Sequence, residues 1–364
     1  MGAFRRQLGL AVLAWAGARG VAVAGGGEPP STIATYAAPQ TQVRLPDGRL
    51  YNLVCMGAGG PVAVLDVGLR DWSLAWRALQ PELAKITRIC IPDRAGYGFS
   101  DPGPLPRDSI AETQDLENAL KAAGLRPPYV LVGHSLGGLN ARLFAYRNPE
   151  KVAGLLLIDP SVSFKEFGTP SEYARKMDLA FYEYCAAQAR AGKLAPGEVR
   201  PGDPGPCVSS PDPAWTPDAA ARITQVRSKA SIFETTLAEF KSAYDVDVDE
   251  VTAARRELGD IPLVILTQDR AHFRVLKSWF DGDVDQAYAR WVAGHEDEAR
   301  DSKRGENRIV DGAGHDIEAD RPDVVISAFR GVVEAARGSG AMDFAKPKEP
   351  VGISSRDGGG ATSR

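Results

Sequence analysis

Five short apolar runs, separated by stretches with helical periodicity, constrain the fold of this chain more than any other feature. Such continuous runs are typical of strands covered on both faces of a parallel sheet. The intervening helices predict crossover connections, and the Pro46–Arg49 turn predicts an antiparallel hairpin before them. We therefore predict an α/β fold with a doubly wound, mostly parallel sheet. The predicted strands are residues 42–45, 50–56, 62–67, 86–91, 129–132, 155–158 and 261–266, and the predicted helices are 74–84, 110–123, 136–147 and 322–336.

The regular alternation stops between residues 160 and 259, where the chain is helix-like and rich in proline and shows no strand pattern. An insertion of this kind after the sixth strand predicts a helical cap on one edge of the sheet. Its aromatic residues could roof an apolar substrate pocket or pack the cap against the sheet. These residues are Phe164, Phe167, Tyr173, Phe181, Tyr182, Tyr184, Trp215 and Phe233.

The start of the chain has the pattern of an export signal. Arg5-Arg6 precede a short apolar run, and Ala22-Val23-Ala24 forms a cleavage site. We therefore expect a periplasmic or extracellular protein, exported by either the general or the twin-arginine route. The predicted organisation is a signal peptide at 1–24, a linker at 25–39, a core at 40–159 and 260–336, a cap at 160–259 and a disordered tail at 337–364.

The balance of charged residues argues against a nucleic-acid partner. The 364 residues carry 43 basic and 47 acidic side chains, whereas nucleic-acid binders usually have a basic excess. No apolar run approaches the roughly 20 residues of a stable membrane span. We expect no nucleic-acid partner and no membrane span, and the oligomeric state stays open.

Four cysteines are compatible with an exported protein. Cys185 and Cys207 flank a stretch rich in proline and glycine in the predicted cap, and they could form a disulfide or be two unrelated thiols. Cys55 and Cys90 lie in apolar strand-like runs, so we predict buried free thiols there.

The chemistry centres on the sequence from Gly133 to Gly137, which reads G-x-S-x-G between a predicted strand and a predicted helix. A sharp turn from strand to helix exposes a serine at its tip, here Ser135, as a nucleophile. The Leu136 N–H and the helix N-terminus then face the point where negative charge develops on the substrate.

A serine hydroxyl needs a base to take its proton, and the chain has only four histidines. We predict that His315 is this base, because it follows the strand-like residues 308–311 at the edge of the sheet where sites collect. His134 is expected to pack under the turn, and His272 and His295 are expected on the solvated surface.

Three motifs give the chain a resemblance to serine hydrolases of the α/β-hydrolase-fold superfamily over about residues 40–336. They are Gly-His-Ser-Leu-Gly-Gly at 133–138, Asp-Arg-Ala-Gly-Tyr-Gly-Phe-Ser at 93–100, and Gly-Ala-Gly-His-Asp-Ile-Glu-Ala-Asp-Arg-Pro at 312–322. The resemblance implies that the Leu69 N–H is a second oxyanion donor. Many relatives carry His-Gly after the third strand, whereas this chain keeps only the glycine, Gly68.

The resemblance leaves two candidates for the carboxylate that orients the histidine. The usual acid of these hydrolases follows the seventh strand, where Asp269 stands. A branch that includes some haloalkane dehalogenases places the acid after the sixth strand, where Asp159 stands. Both keep the order serine, acid, histidine, and we favour Asp159 slightly.

These residues predict a serine hydrolase that cleaves a carboxylic ester or a similar apolar acyl compound, with no cofactor and no metal. A serine nucleophile argues against the chemistry of dehalogenases and epoxide hydrolases. The alternatives are an aminopeptidase or amidase, a cofactor-free lyase, and a non-catalytic binding protein of the same fold. An aminopeptidase would need an acidic anchor for the substrate amine, and the candidates are Glu166, Glu172, Asp178 and Glu183.

Overall fold

Eight strands form one twisted sheet at the centre of the molecule. The computed structural model describes residues 30–162, 172–201, 203, 205–243, 246–274 and 282–338. The strand order is β1-β2-β4-β3-β5-β6-β7-β8, with β2 antiparallel to β1 and β4 and all other pairs parallel. The strands are β1 (Thr41–Arg44), β2 (Leu50–Met56), β3 (Val62–Asp66), β4 (Ile89–Asp93), β5 (Tyr129–His134), β6 (Val152–Ile158), β7 (Leu263–Gln268) and β8 (Gly305–Val310).

Helices cover both faces of the sheet. They are α1 (Pro30–Tyr36), α2 (Gln80–Leu83), α3 (Ser109–Ala122), α4 (Leu136–Arg147), α5 (Glu172–Arg190), α6 (Pro217–Arg227), α7 (Ala230–Ala243), α8 (Val246–Ala254), α9 (Arg270–Phe273), α10 (Val284–Ala299), α11 (Ile317–Asp320) and α12 (Pro322–Ala336). Alternate residues of β5 face opposite cores, Leu131 toward α3 and α4 and Val130 toward α2 and α12. The predicted doubly wound sheet is confirmed.

The described residues between β6 and β7 contain helices α5 to α8 and no strand, as the sequence predicts for a cap. Of the cap aromatics, Phe181, Tyr182 and Phe233 are buried in the main apolar core, and Trp215 is buried in a second cluster. Their main role is therefore packing. Phe164 and Phe167 lie outside the described residues, as does the Tyr173 side chain.

Two local predictions about the first half of the chain are wrong. The linker predicted for residues 25–39 includes α1, whose Ile33 and Tyr36 are buried against the cluster that contains Trp215. The helix predicted for residues 74–84 is a short 3-10 turn at Ser73–Trp76 followed by α2. Proline is tolerated only in the first turn of a helix, so α2 starts afresh beside Pro81.

The prediction of free thiols at Cys55 and Cys90 is also wrong, because these cysteines form a disulfide. The antiparallel register of β2 and β4 places the two residues directly opposite each other. Cys185 and Cys207 form a second disulfide, within the cap. The predicted signal peptide and nearly all of the predicted tail lie outside the described residues. Among the residues that the structure describes, no helix is both long and apolar enough to cross a membrane.

The turn between β5 and α4 is held tightly against the end of β6. The Ser135 N–H donates to the Ile158 carbonyl at 3.1 Å, and the Ser135 carbonyl accepts from the Ser161 N–H at 3.0 Å. A Cβ on Gly133 would lie 2.5 Å from the Gly137 carbonyl oxygen, closer than atoms can approach. Glycine at position 133 is therefore required for the helix to start so close to the strand.

We expect Gly133→Ala to lower the free energy of unfolding by about 2–3 kcal/mol, because the backbone on both sides of the turn must shift. Urea denaturation would measure this. Gly60→Ala is the control, since a Cβ there would come no closer than 3.9 Å to a neighbouring atom. Equal stabilities of the two variants would contradict this account of the turn.

Candidate active site

Ser135 occupies the tip of the turn in a strained backbone conformation. Its φ of 53° and ψ of −120° are unusual for a residue with a side chain. The residue is 1% exposed, and its hydroxyl makes no hydrogen bond to any described residue. A strained and buried hydroxyl without a partner is more typical of a functional position than of a packing position.

His315 and Asp159 are in direct contact. His315 lies on the loop between β8 and α11, and its Nδ1 is 2.6 Å from an Asp159 carboxylate oxygen. Asp159 follows β6 immediately, is fully buried and has a φ of 40°. Because the turn at Ser135 is bonded to the last residue of β6, the chain brings this carboxylate to the same edge of the sheet as the serine.

Three further hydrogen bonds fix the Asp159 carboxylate. Gln268 donates its backbone N–H at 3.1 Å and its side-chain amide at 2.7 Å, and the Trp291 indole N–H donates at 3.0 Å. A buried carboxylate needs such donors because burial removes its hydration. Neither Gln268 nor Trp291 is predicted from the sequence, where the one available signal is that Gln268 ends a strand beside β6.

The contact between His315 and Asp159 shifts the pKa values of both groups. Burial alone would raise the pKa of Asp159, but the hydrogen bond and charge of His315 lower it below its usual value. Burial alone would lower the pKa of His315, but the hydrogen bond and charge of Asp159, with smaller contributions from Asp316 and Asp71, raise it. The pair thus favours a carboxylate beside an imidazole that readily accepts a proton.

Asp269, the other candidate acid, does not contact His315. One of its carboxylate oxygens accepts from the His272 N–H at 2.7 Å and lies 2.9 Å from His272 Nδ1. The other accepts from the Gly312 N–H at 2.7 Å. Asp269 therefore caps α9 and ties it to the loop after β8, and His272 is exposed as predicted.

The prediction that His295 is on the surface is wrong. His295 is fully buried on α10, where Nε2 lies 2.9 Å from the Pro160 carbonyl and Nδ1 lies 2.7 Å from the Thr267 hydroxyl. Burial lowers its pKa to about 4. The neutral ring therefore donates from Nε2 to the residue that follows Asp159, and it supports the loop that carries this carboxylate.

His134 packs under the turn as predicted. The ring is 1% exposed, and burial together with the charge of His315 lowers its pKa to about 4. Its Nε2 lies 3.1 Å from the His315 carbonyl oxygen, so the neutral ring carries its proton there and donates to that oxygen. His134 thereby holds the backbone of His315.

His134, Asp316 and Glu318 form a group whose ligand atoms lie within 4.8 Å of one another, close enough to hold a metal ion. This group is not predicted from the sequence. A metal on His134 Nε2 would require the proton to move to Nδ1. There, no hydrogen-bond acceptor is present among the described residues. Metal-bound histidines almost always donate from the second nitrogen, so these residues fit a metal poorly.

The two predicted oxyanion donors, the N–H groups of Leu136 and Leu69, belong to the start of α4 and to the loop after β3. Leu136 is the first residue of α4, so its N–H has no carbonyl one turn earlier to bind. Leu69 follows Gly68, and a Cβ on Gly68 would lie 3.4 Å from the Ser135 Cβ. The same Cβ would lie 3.1 Å from His134 Nδ1, so the loop after β3 passes close to the turn at Ser135 and a side chain at position 68 would be crowded there.

Arg94 fixes the orientation of this loop. Its buried guanidinium donates to the Val67 carbonyl at 2.6 Å and to the Gly68 carbonyl at 2.8 Å. In a trans peptide the N–H points opposite to the carbonyl. The Leu69 N–H therefore points away from Arg94. The same guanidinium forms ion pairs with Asp66 of β3 and Glu239 of α7, both at 2.8 Å.

Of the four acidic residues considered as anchors for a substrate amine, the structure describes the side chains of Glu183 and Asp178. Glu183 is more than half exposed and lies 3.7 Å from the Lys241 ammonium. Asp178 is buried within the cap. Glu166 lies outside the described residues, as does the Glu172 side chain.

Comparison with known proteins assigns the architecture. A family model described as the alpha/beta hydrolase fold matches residues 53–197. The structure of the epoxide hydrolase CorEH superposes with a TM-score of 0.55 at 18% identity over 79% of this chain and 95% of the other. A thermophilic esterase from Thermogutta terrifontis superposes with a TM-score of 0.54 at 20% identity over 82% and 99%. This chain has the α/β-hydrolase fold.

Curated relatives of this hydrolase-fold chain share only part of its length. The protein YqjL of Bacillus subtilis is 33% identical over 106 residues, which is 29% of this chain and 42% of YqjL. The protein YbdG of the same organism is 28% identical over 129 residues, which is 35% of this chain and 38% of YbdG. The chain thus spans about two fifths of the length of these relatives.

We expect Asp159→Asn to lower the pKa of His315, because an amide supplies no negative charge to stabilise the protonated ring. NMR titration of histidine-labelled protein would measure this, with His315→Gln to assign the signal. Asp269→Asn is the matched control and should leave the pKa of His315 unchanged. The opposite result would contradict the observed pairing.

Proposed function

We propose that this protein is a serine hydrolase that cleaves carboxylic esters through an acyl-enzyme on Ser135. The observation that carries the proposal is the convergence, at one edge of the sheet, of a strained buried serine and the His315–Asp159 pair 2.6 Å apart. Nucleophilic catalysis by serine requires such a base, held in turn by a third group. The comparisons support the fold, which hosts several hydrolytic activities.

In the first half of the proposed reaction, the Ser135 Oγ attacks the ester carbonyl carbon as its proton passes to His315 Nε2. The carbonyl π electrons move to the oxygen, and the N–H groups of Leu136 and Leu69 donate to this oxyanion. When the tetrahedral intermediate collapses, the bond to the alcohol oxygen breaks and His315 returns the proton to that oxygen. Among the described residues the Ser135 hydroxyl has no hydrogen-bond partner, and catalytic hydrogen bonds often tighten only in the complex with substrate.

In the second half, His315 takes a proton from water as its oxygen attacks the acyl carbon. The new intermediate expels Ser135, which regains its proton from His315, and the carboxylic acid leaves. Asp159 keeps the Nδ1 proton of His315 in place throughout and balances the charge of the imidazolium. The hydrogen bonds from Gln268 and Trp291 position Asp159 for this task.

The identity of the residue at the turn favours ester hydrolysis over the alternative functions. Ser135 can form an acyl-enzyme that water releases, and the full set of nucleophile, base and acid is unnecessary in a protein that only binds. For an aminopeptidase, an acidic group in contact with the substrate amine would be required. Of the candidates with described side chains, Glu183 is exposed beside Lys241 and Asp178 is buried in the cap.

We expect wild-type protein to release 4-nitrophenol from short 4-nitrophenyl esters with an initial burst as the acyl-enzyme accumulates. Ser135→Ala should reduce turnover on the order of 10⁴-fold or more. Stopped-flow absorbance would measure both. Ser228→Ala, a serine at the end of α6 whose hydroxyl bonds Thr224, is the control and should keep wild-type turnover. Wild-type turnover by Ser135→Ala would exclude the proposal.

We further propose that the protein is exported with Gly25 as its mature first residue. The two disulfides support this, since disulfides persist mainly in oxidising compartments. We expect intact-mass measurement of the protein from its native host to show cleavage after Ala24, and Ala24→Lys to block cleavage. Recovery of a chain that still begins at Met1 from the cytoplasm would contradict export.

A further inference from the structure

A cleft opens between the loop after β3 and the cap, and the loop that forms one side of it also carries Gly68, which packs against Ser135. Arg70 and Asp71 follow Leu69 directly and form one wall, and Arg227 at the end of α6 forms part of the other. Apolar side chains, including Trp72, Leu74 and Phe233, complete the lining. The cavity volume is about 60 Å³, several times the roughly 10–15 Å³ that one water needs.

Arg227 brings a positive charge to this cleft, and no negatively charged side chain of the described residues pairs with it directly. No carboxylate of the described residues forms an ion pair with it, and its guanidinium lies 5.5 Å from the centre of the Trp215 ring. The guanidinium of Arg77 lies 5.4 Å from the centre of the same ring. Burial and the charge of Arg77 lower the pKa of Arg227 to about 10. A bound anion would pair with the buried charge of Arg227 and offset its repulsion by Arg77.

Arg70 adds a second guanidinium, on the wall formed by the loop after β3. Its φ of 68° is unusual for a residue with a side chain. The side chain donates to the Cys207 carbonyl at 2.8 Å and lies within 6 Å of the ring centres of Phe181 and Tyr182. Within the described part of the chain, Arg70 makes no ion pair with a carboxylate. A guanidinium has five N–H donors, so Arg70 has donors left for a ligand.

Asp71 contributes a carboxyl group to the cleft, and at neutral pH it neutralises only part of the positive charge of the two arginines. Burial, with the charge of Asp316, raises its pKa to about 7 although Arg94, Arg70 and Arg227 lower it. Asp71 is therefore partly protonated at neutral pH and balances the charge of the arginines only in part. The cleft has an excess of positive charge.

We propose that the ester substrate carries a carboxylate at the far end of its acyl chain, and that Arg227 and Arg70 bind this carboxylate in the cleft. The hydrocarbon part of the chain then lies along Trp72, Leu74 and Phe233, with the ester carbonyl at Ser135. A planar guanidinium matches a carboxylate with two parallel hydrogen bonds. The inference rests on the proposed ester hydrolysis and names its substrate class as half-esters of dicarboxylic acids.

The experiment compares three 4-nitrophenyl esters of equal chain length: the neutral hexanoate, the half-ester of adipic acid and 6-aminohexanoate. Rates with the Ser135→Ala enzyme are subtracted as the blank. We expect kcat/KM for the adipate half-ester to exceed that for hexanoate by about tenfold, as expected for a hydrogen-bonded charge pair, and 6-aminohexanoate to be the poorest substrate. Preference for hexanoate or 6-aminohexanoate would overturn the proposal.

Variants test the assignment to Arg227. Arg227→Gln should bring the ratio of kcat/KM for the adipate half-ester and hexanoate close to one, mainly through KM for the half-ester, and Arg227→Lys should keep part of the preference. Arg222→Gln is the matched control on the same helix, because Arg222 is exposed and bonds Gln225. An adipate preference that survives Arg227→Gln would overturn the assignment.

Failure of this inference is distinguishable from failure of the proposed function. Hydrolysis of hexanoate that depends on Ser135, without a preference for the adipate half-ester, would overturn the substrate class alone. If no ester is hydrolysed faster than in the Ser135→Ala blank, the proposed ester hydrolysis itself is wrong. Calorimetric titration of the Ser135→Ala protein with hexanamide, 6-aminohexanamide and the monoamide of adipic acid then tests the cleft by itself. Selective binding of the adipate monoamide would support the carboxylate site, and equal or absent binding would overturn it.

Discussion

A single buried guanidinium, that of Arg94, joins the sheet, the cap and the loop beside Ser135. It binds Asp66 at the end of β3, Glu239 of α7, and two carbonyls of the loop after β3. Glu239 also accepts from the Tyr97 hydroxyl at 2.7 Å. A charge this far from water is tolerated only when its partners are complete, and losing one partner typically costs about 3–5 kcal/mol. The position of the cap and the direction of the Leu69 N–H therefore depend on the same group.

The features that the sequence predicts well are local. A continuous apolar run is enough to indicate a buried strand, and the glycines around Ser135 identify a tight turn because few other residues fit one. The position of His315 after a strand indicates the correct edge of the sheet. For the acid, the sequence offered two carboxylates at the ends of neighbouring strands. Only the geometry shows that Asp159 reaches His315 and that Asp269 is used to cap α9.

The features that the sequence did not predict depend on contacts between distant segments. The disulfide between Cys55 and Cys90 follows from the register of β2 and β4, which no local pattern specifies. His295 lies among polar neighbours in the sequence, yet its side of α10 faces the sheet. Arg94 carries a charge that would ordinarily place it in solvent, and its partner Glu239 is 145 residues away. In each case the partner determines the environment, and the spacing in the sequence does not reveal it.

The separation of Asp159 and His315 by 156 residues has a consequence for how the site comes into being. The cap, β7 and β8 all lie between them along the chain, so a nascent polypeptide that has completed β5 and β6 holds Ser135 and Asp159 without the histidine. Contacts of such long range form late, because the intervening loop must first be closed. The serine therefore meets its base only when almost the whole chain is present. A truncated or half-synthesised product carries the Ser135 hydroxyl without the base that would take its proton.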